Sequence, residues 1–239
     1  MSVRSQLTPS VDSSLGMKML PSVLSMIAGS ADVIGFLGLG GLFIAHITGN
    51  LILIAAHIVS GTGVSTVHLL SVPVFIAVLG LTRLLVARLE AAGLASLRPL
   101  LLLQLLLLTG FLAFCVAAGP SVSPDKVMTI VAGMLGVSAM AVQNAMVVMS
   151  LKDSPSTAVM TTNITRFVMD VGEVLLRNDP DKVAEARRRA WHTFPAIIGF
   201  SGGAGLGAAC FVVAGLWSLM LPTILALLTL AISLAAPER

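Results

Sequence analysis

The chain has 239 residues, 56% of them hydrophobic and only 10% charged, with a formal net charge of +3 and a mean hydropathy of +1.00. A soluble domain of this size could not stay in solution with that balance, so lipid must solvate most of the surface. The slight basic excess gathers near the ends of apolar segments without interleaved aromatics, which points to membrane orientation and away from nucleic acid.

From the N-terminus, residues 1–18 form a polar segment carrying Arg4, Asp12 and Lys18. The apolar run that follows is too long, and too Gly-rich at its end, for a cleaved signal peptide, and reads as an uncleaved first span. Apolar runs bounded by charge, Pro or Gly predict spans near residues 20–42, 67–88, 98–118, 127–149, 192–217 and 219–236. A crossing of about 30 Å of hydrocarbon takes roughly 20 helical residues. Two shorter helical stretches, 48–60 and 161–176, have the length of re-entrant or interfacial pieces. The predicted class is an all-α polytopic transmembrane bundle of about six spans.

The most basic connection holds Arg177, Lys182, Arg187, Arg188 and Arg189, and such segments face the cytoplasm. With neither short helix crossing, Arg4, Lys18, Arg88, Arg98 and Lys152 fall on the same side, the 119–126 connection lies outside, and both termini are cytoplasmic. Trp191 and Trp217 bracket the fifth span as interfacial anchors would. Within it, Gly199, Gly203 and Gly207 recur every four residues, a seam suited to close helix packing more than to a substrate wall. Cys115 and Cys210 sit in apolar segments without Cys-x-x-Cys or Cys/His spacing, so they read as packing residues, not as a disulfide or metal site.

The chain carries one pattern twice: a span with polar residues near its middle, a polar turn, a short helix, and two further spans. The first copy has Gly29-Ser30-Ala31-Asp32 and then His46-Ile47-Thr48-Gly49-Asn50; the second has Ala141-Val142-Gln143-Asn144 and then Val159-Met160-Thr161-Thr162-Asn163. The interval from Asp32 to Asn50 matches that from Asn144 to Asn163 within one residue. This divides the chain into repeats at 19–120 and 121–239. An odd number of crossings in each makes the second run in the opposite sense, the inverted arrangement of many transporters.

The Gly-rich stretch with Asp32, Gly35, Phe36, Gly40, Gly41 and Phe43, leading into Ala45-His46-Ile47-Thr48-Gly49-Asn50, resembles the YoaK-type family of bacterial membrane proteins, a domain of unknown function. Gly133, Gly136, Gln143-Asn144-Ala145 and Thr161-Thr162-Asn163 extend the likeness over nearly the whole chain after residue 18. The resemblance implies a bacterial inner-membrane protein of six or so spans and brings no activity with it.

Asp32 lies inside the first predicted span, where a charge costs roughly 2.5–3.5 kcal/mol on insertion scales and must face the bundle interior or a wet cavity. Its alternatives are a role in the solute pathway or a pairing with Arg83 that holds helices together. Thr48 is expected to cap the first short helix, leaving amides which, with Asn50, would bind a polar or anionic group. The alternative is that these groups satisfy backbone at membrane depth. His46 and His57 would relay protons with Asp32 if the three shared a cavity. No metal or cofactor spacing is present. Arg166, Asp170, Glu173 and Arg177 share one face of the second short helix, which reads as an amphipathic helix on the cytoplasmic surface.

The leading expectation is a small-solute transporter, proton-coupled through Asp32, with a central site of Asp32, His46, Thr48, Asn50, Gln143, Asn144, Thr161 and Asn163. No phosphate-binding Gly-Lys-[Ser/Thr] loop offers direct use of ATP. Competing readings are a passive channel, a membrane enzyme acting on a lipid or quinone, and a non-catalytic assembly subunit. The partners implied are the lipid bilayer and a small polar or anionic solute, and the glycine seam is compatible with oligomers.

Overall fold

The computed structural model describes residues 11–119, 126–151 and 154–235. Arg4, Lys152 and most of the 119–126 connection, used above for orientation, lie outside them. Eight α-helices follow in chain order: α1 (Val11–Gly38), α2 (Ile47–Ser60), α3 (Thr66–Ala91), α4 (Leu97–Ala118), α5 (Val127–Ser150), α6 (Met160–Leu176), α7 (Pro180–Ala214) and α8 (Met220–Ala235). A 3-10 turn, Gly215–Leu219, joins the last two.

Five helical stretches among the described residues are long and apolar enough to cross a membrane: Met19–Gly38, Thr66–Ala91, Leu97–Ala118, Val127–Ser150 and Pro180–Ala235. The last is broken at Gly215, whose φ of +55° is one that L side chains rarely adopt. The protein is therefore a polytopic helical bundle.

The two long helices α1 and α5 form its centre. Their apolar windows are 61% and 72% buried, against 17% for α3 and 33% for α4. Leu24, Ile27 and Ile34 of α1 and Met140 and Met146 of α5 are fully enclosed. Large apolar side chains of α3, such as Ile76 and Leu84, point outward, as they must where lipid is the solvent.

α1 packs chiefly against α7 and α8, whereas α5 packs chiefly against α3 and α4. Each short helix lies on the long helix that follows it, α2 on α3 and α6 on α7, and α4 meets α8. The first long helix of each four-helix series is thus embraced by the last two of the other.

Contacts between backbones hold α1 to α7. Gly199, Gly203 and Gly207 are buried along this seam. A Cβ on Gly203 would run into the backbone of Met26, and one on Gly207 would stand 2.8 Å from Val33 Cγ1. The Ser22 hydroxyl crosses the same contact to donate to the Pro195 carbonyl at 2.9 Å. The seam is packing, as its spacing suggests.

The sequence reading places the fifth span at residue 192, after a basic loop. Instead α7 begins at Pro180, capped by Asp179, whose Oδ1 accepts from the Asp181 amide at 3.1 Å. Proline at the first helical position and an acidic cap start a helix, so Lys182 and the three arginines lie on helix, and only 177–179 form the connection. Likewise α1 is helical from Val11, before the first apolar residue of the predicted span.

Candidate functional site

Two loops dive into the bundle, one ahead of each short helix. The first runs from Leu39 to His46, where Gly40 and Gly41 take φ values of +68° and +88° and turn the chain back beside α1. Asp32 awaits it. This residue is six positions from the end of α1, or about 9 Å of helical rise, and its Oδ1 accepts from the amides of Ile44 at 2.8 Å, Ala45 at 2.7 Å and His46 at 3.2 Å. These amides lead directly into α2, so the carboxylate sits where the helix dipole favours an anion.

Asn50 secures the same loop from the other side. Its Nδ2 donates to the Phe43 carbonyl at 2.8 Å and its Oδ1 accepts from the Phe43 amide at 3.0 Å. Gly49 gives this clamp room, since a Cβ there would stand 2.8 Å from the Phe43 ring. Gly49 and Asn50 of the Thr-Gly-Asn motif thus clamp the loop.

The second loop, before α6, is built alike with different side chains. Asn163 Nδ2 donates to the Ser156 carbonyl at 2.6 Å, again seven residues back, and the Ser156 hydroxyl accepts from the Val159 amide at 2.9 Å. Gln143 of α5 takes the position that Asp32 has in the first loop. Its Nε2 donates to Thr157 Oγ1 and to the Leu24 carbonyl of α1, both at 2.9 Å, and its Oε1 accepts from Gln104 Nε2 of α4 at 2.6 Å. One buried amide thereby ties α1, α4, α5 and the second loop together.

Several expectations need correction. Thr48 does not cap α2: the N-cap position is His46, without a side-chain cap bond, and Thr48 is exposed. Asp32 occupies the amides of the loop just ahead of α2, Ile44 to His46, and the Gly49 amide inside the helix bonds the His46 carbonyl at 2.9 Å. Arg83 does not pair with Asp32; it reaches Glu90 at 3.9 Å on an exposed surface. His57 does not join Asp32 and His46 around one cleft. Eleven residues along α2, about 16 Å of rise, separate the two histidines, and His57 bonds Thr62 at 2.8 Å and faces His68 at 5.9 Å. The lipid- or quinone-directed enzyme required that cluster and loses its support.

The remaining predicted residues divide. His46 is exposed, edge-on to Phe43 at 5.8 Å, and Thr161 is also exposed at the start of α6. Asn144 turns back on its own helix to bond the Met140 carbonyl at 2.8 Å and takes no part in the Gln143 junction. Gln104 and Thr157, which complete that junction, are missing from the predicted site. Gln104 was visible as a lone polar residue in a leucine run, whereas nothing local marks Thr157.

On the second short helix, Arg177 and Glu173 pair along the helix at 3.4 Å. Asp170 instead turns inward to Arg189 of α7 at 2.8 Å, which also holds Glu173 at 2.7 Å and Glu185 at 3.3 Å. The side facing α7 thus combines these charges with Phe167, stacked on Phe194 at 5.3 Å, while Ile164, Val168, Leu175 and Leu176 are exposed.

A bundle of apolar helices, with loops clamped at depth by buried Asp, Asn and Gln, defines a polytopic helical membrane protein that contacts the lipid bilayer. The chain belongs to the family described as protein of unknown function (DUF1275), whose model matches residues 20–232. No curated protein and no solved structure matches it.

Proposed function

We propose that the protein is a permease for a small polar or anionic solute, built as two inverted three-span repeats, 19–120 and 121–239, in a bacterial inner membrane. The observation that carries this reading is the exchange of packing partners, in which α1 is held by α7 and α8 and α5 by α3 and α4. Two equivalent units wound round one another produce such an exchange, and helices interrupted at depth are where transporters of this design place their sites. The break at Gly215 then reverses the chain, giving six crossings with both termini cytoplasmic.

On this reading His46, Thr48 and Thr161, exposed at the starts of α2 and α6, offer polar groups to the solute. Asn50, Gln143 and Asn163 hold the loops. Asp32 supplies the coupling, because protonating its carboxyl weakens the hold on three amides and frees α2 to move. The saturation of Asn50 and Gln143 by protein partners favours a second reading, a purely structural polar centre in an assembly subunit.

Two measurements decide between them. Purified protein is melted with a broad library of polar solutes, beside Thr48→Ala and Thr161→Ala. A solute that raises the melting temperature of wild type, acts less on either variant, and enters proteoliposomes supports the permease. If no solute stabilises the protein and none enters, the assembly reading takes its place. Separately, Thr48→Cys and Thr161→Cys are treated with a membrane-impermeant thiol reagent. Labelling from opposite sides is expected, and labelling from one side sinks the inverted repeat.

A further inference from the structure

We propose that one flank of the α6–α7 hairpin binds an anionic phospholipid, its phosphate held by Arg166, Arg188 and His192. A groove of about 580 Å³ runs between the two helices there, lined by these three residues with Thr165, Met169 and Thr193 and by the ion pair of Asp170 and Arg189. Nearby cations are already spent: Arg189 on Asp170, Glu173 and Glu185, Arg177 on Glu173, and Lys182 on Asp179. Arg166 and Arg188 have no acidic partner among the described residues. Two guanidinium groups and an imidazole around one groove, with the Asp170 carboxylate neutralised by Arg189, make a site for a phosphate-like anion.

Its surroundings select a lipid over a soluble anion. Met169, 67% exposed, is an apolar side chain in the groove wall itself, and Ile164 and Val168 are further exposed apolar side chains of α6. On the other flank Phe167, Val171, Phe194 and the 66% exposed Trp191 form an apolar groove of about 270 Å³ beside Arg187. α7 passes here from its charged first turns to an apolar run, and a Trp at that change marks the headgroup level of a bilayer. Basic pockets between helices at this level suit anionic headgroups, with chains lying on the adjacent apolar surface. The inference stands without the permease reading, since it needs neither a solute nor an inverted repeat.

The test melts detergent-purified full-length protein with short-chain phosphatidylglycerol, short-chain phosphatidylcholine, or glycerol phosphate as the headgroup without chains. Wild type, Arg166→Gln/Arg188→Gln and the control Arg83→Gln are compared. Phosphatidylglycerol is expected to stabilise wild type and the control well above phosphatidylcholine, with glycerol phosphate inert. The double variant should require at least about tenfold more phosphatidylglycerol for the same rise, roughly the loss of one good charge-assisted contact. Equal responses to the two lipids, a double variant that responds like wild type, or glycerol phosphate acting as strongly as the lipid would each overturn the proposal. Should the double variant fail to fold, native mass spectrometry of wild type with the two lipids in competition decides it: retained phosphatidylglycerol supports the site and indiscriminate retention refutes it.

Discussion

Asp32 Oδ1 lies 2.7 Å from the amide of Ala45, thirteen residues further along the chain, and this single oxygen also serves the amides of Ile44 and His46. A membrane carboxylate that sequence reasoning assigns to the solute path thus first solves a backbone problem. Three donors of the loop ahead of a short helix need an acceptor inside the bundle, and each buried donor left unmet costs about 1–3 kcal/mol. Asp32→Asn keeps an acceptor and loses its charge, whereas Asp32→Ala removes both. Melting in detergent should rank wild type above Asn and Asn above Ala, with Ala lower by at least about 1–3 kcal/mol, the cost of one buried donor left without an acceptor. An alanine variant as stable as wild type would show that the three amides do not depend on Asp32.

Asn50 and Asn163 make the same reach of seven residues with unequal completeness. Asn50 exchanges two bonds with Phe43, while Asn163 has one with the Ser156 carbonyl and a long contact to Met160 Sδ at 3.8 Å. Asn50→Ala should therefore destabilise more than Asn163→Ala, by about 1–2 kcal/mol, the worth of one further buried bond. Equal losses would mean that the second loop draws on its Asn as heavily as the first.

The short helices were legible almost to the residue, 48–60 against Ile47–Ser60 and 161–176 against Met160–Leu176, because polar turns and charge bound them sharply. Hydropathy likewise marked the long helices, since lipid imposes composition over a whole turn-by-turn length. The start of α7 is masked by its charge, which suits a loop as well as a helix, although Asp179-Pro180 and the Glu185–Arg189 spacing both signal helix. The partners of Asp32 were out of reach for another reason. They are backbone amides delivered by a fold-back at Gly40 and Gly41, and no residue type announces a backbone donor. Gln143 was singled out, yet its junction with Leu24, Gln104 and Thr157 depends on how α1, α4 and α5 assemble.

The glycine seam offers a test with an internal control. Gly203 is closed in by the Met26 backbone, but a Cβ on its neighbour Gly202 would meet nothing within 4 Å. Gly203→Ala should separate α1 from α7 and cost about 1–3 kcal/mol, as overpacking does. Gly202→Ala should leave the melting temperature unchanged or slightly raised, because alanine suits a helix interior better than glycine. Equal effects at both positions would mean that the two helices tolerate a wider spacing.

Asp179 gives the cytosol-facing hairpin of the proposed topology a pH dependence whose sign follows from its contacts. Its carboxyl is held below the ordinary aspartate range, first by the hydrogen bond with the Lys182 side chain and then by the amides of Lys182 and Asp181. The ammonium group of Lys182 stands 3.2 Å from Oδ2. A depressed folded value means that the stabilisation is full above the unfolded value, about 3.9 for aspartate, and is lost as pH falls through the folded one. Amide exchange at Val183, whose N–H bonds the Asp179 carbonyl at 3.0 Å, should be protected at neutral pH and lose protection below about pH 4, after correction for intrinsic rates. Asp179→Asn retains the capping oxygen and has no titrating group, so its protection should be flat across the same range. An acid loss of protection equally large in Asp179→Asn would move the cause from this cap to other carboxylates, with the Asp170 and Glu173 contacts to Arg189 next to be tested.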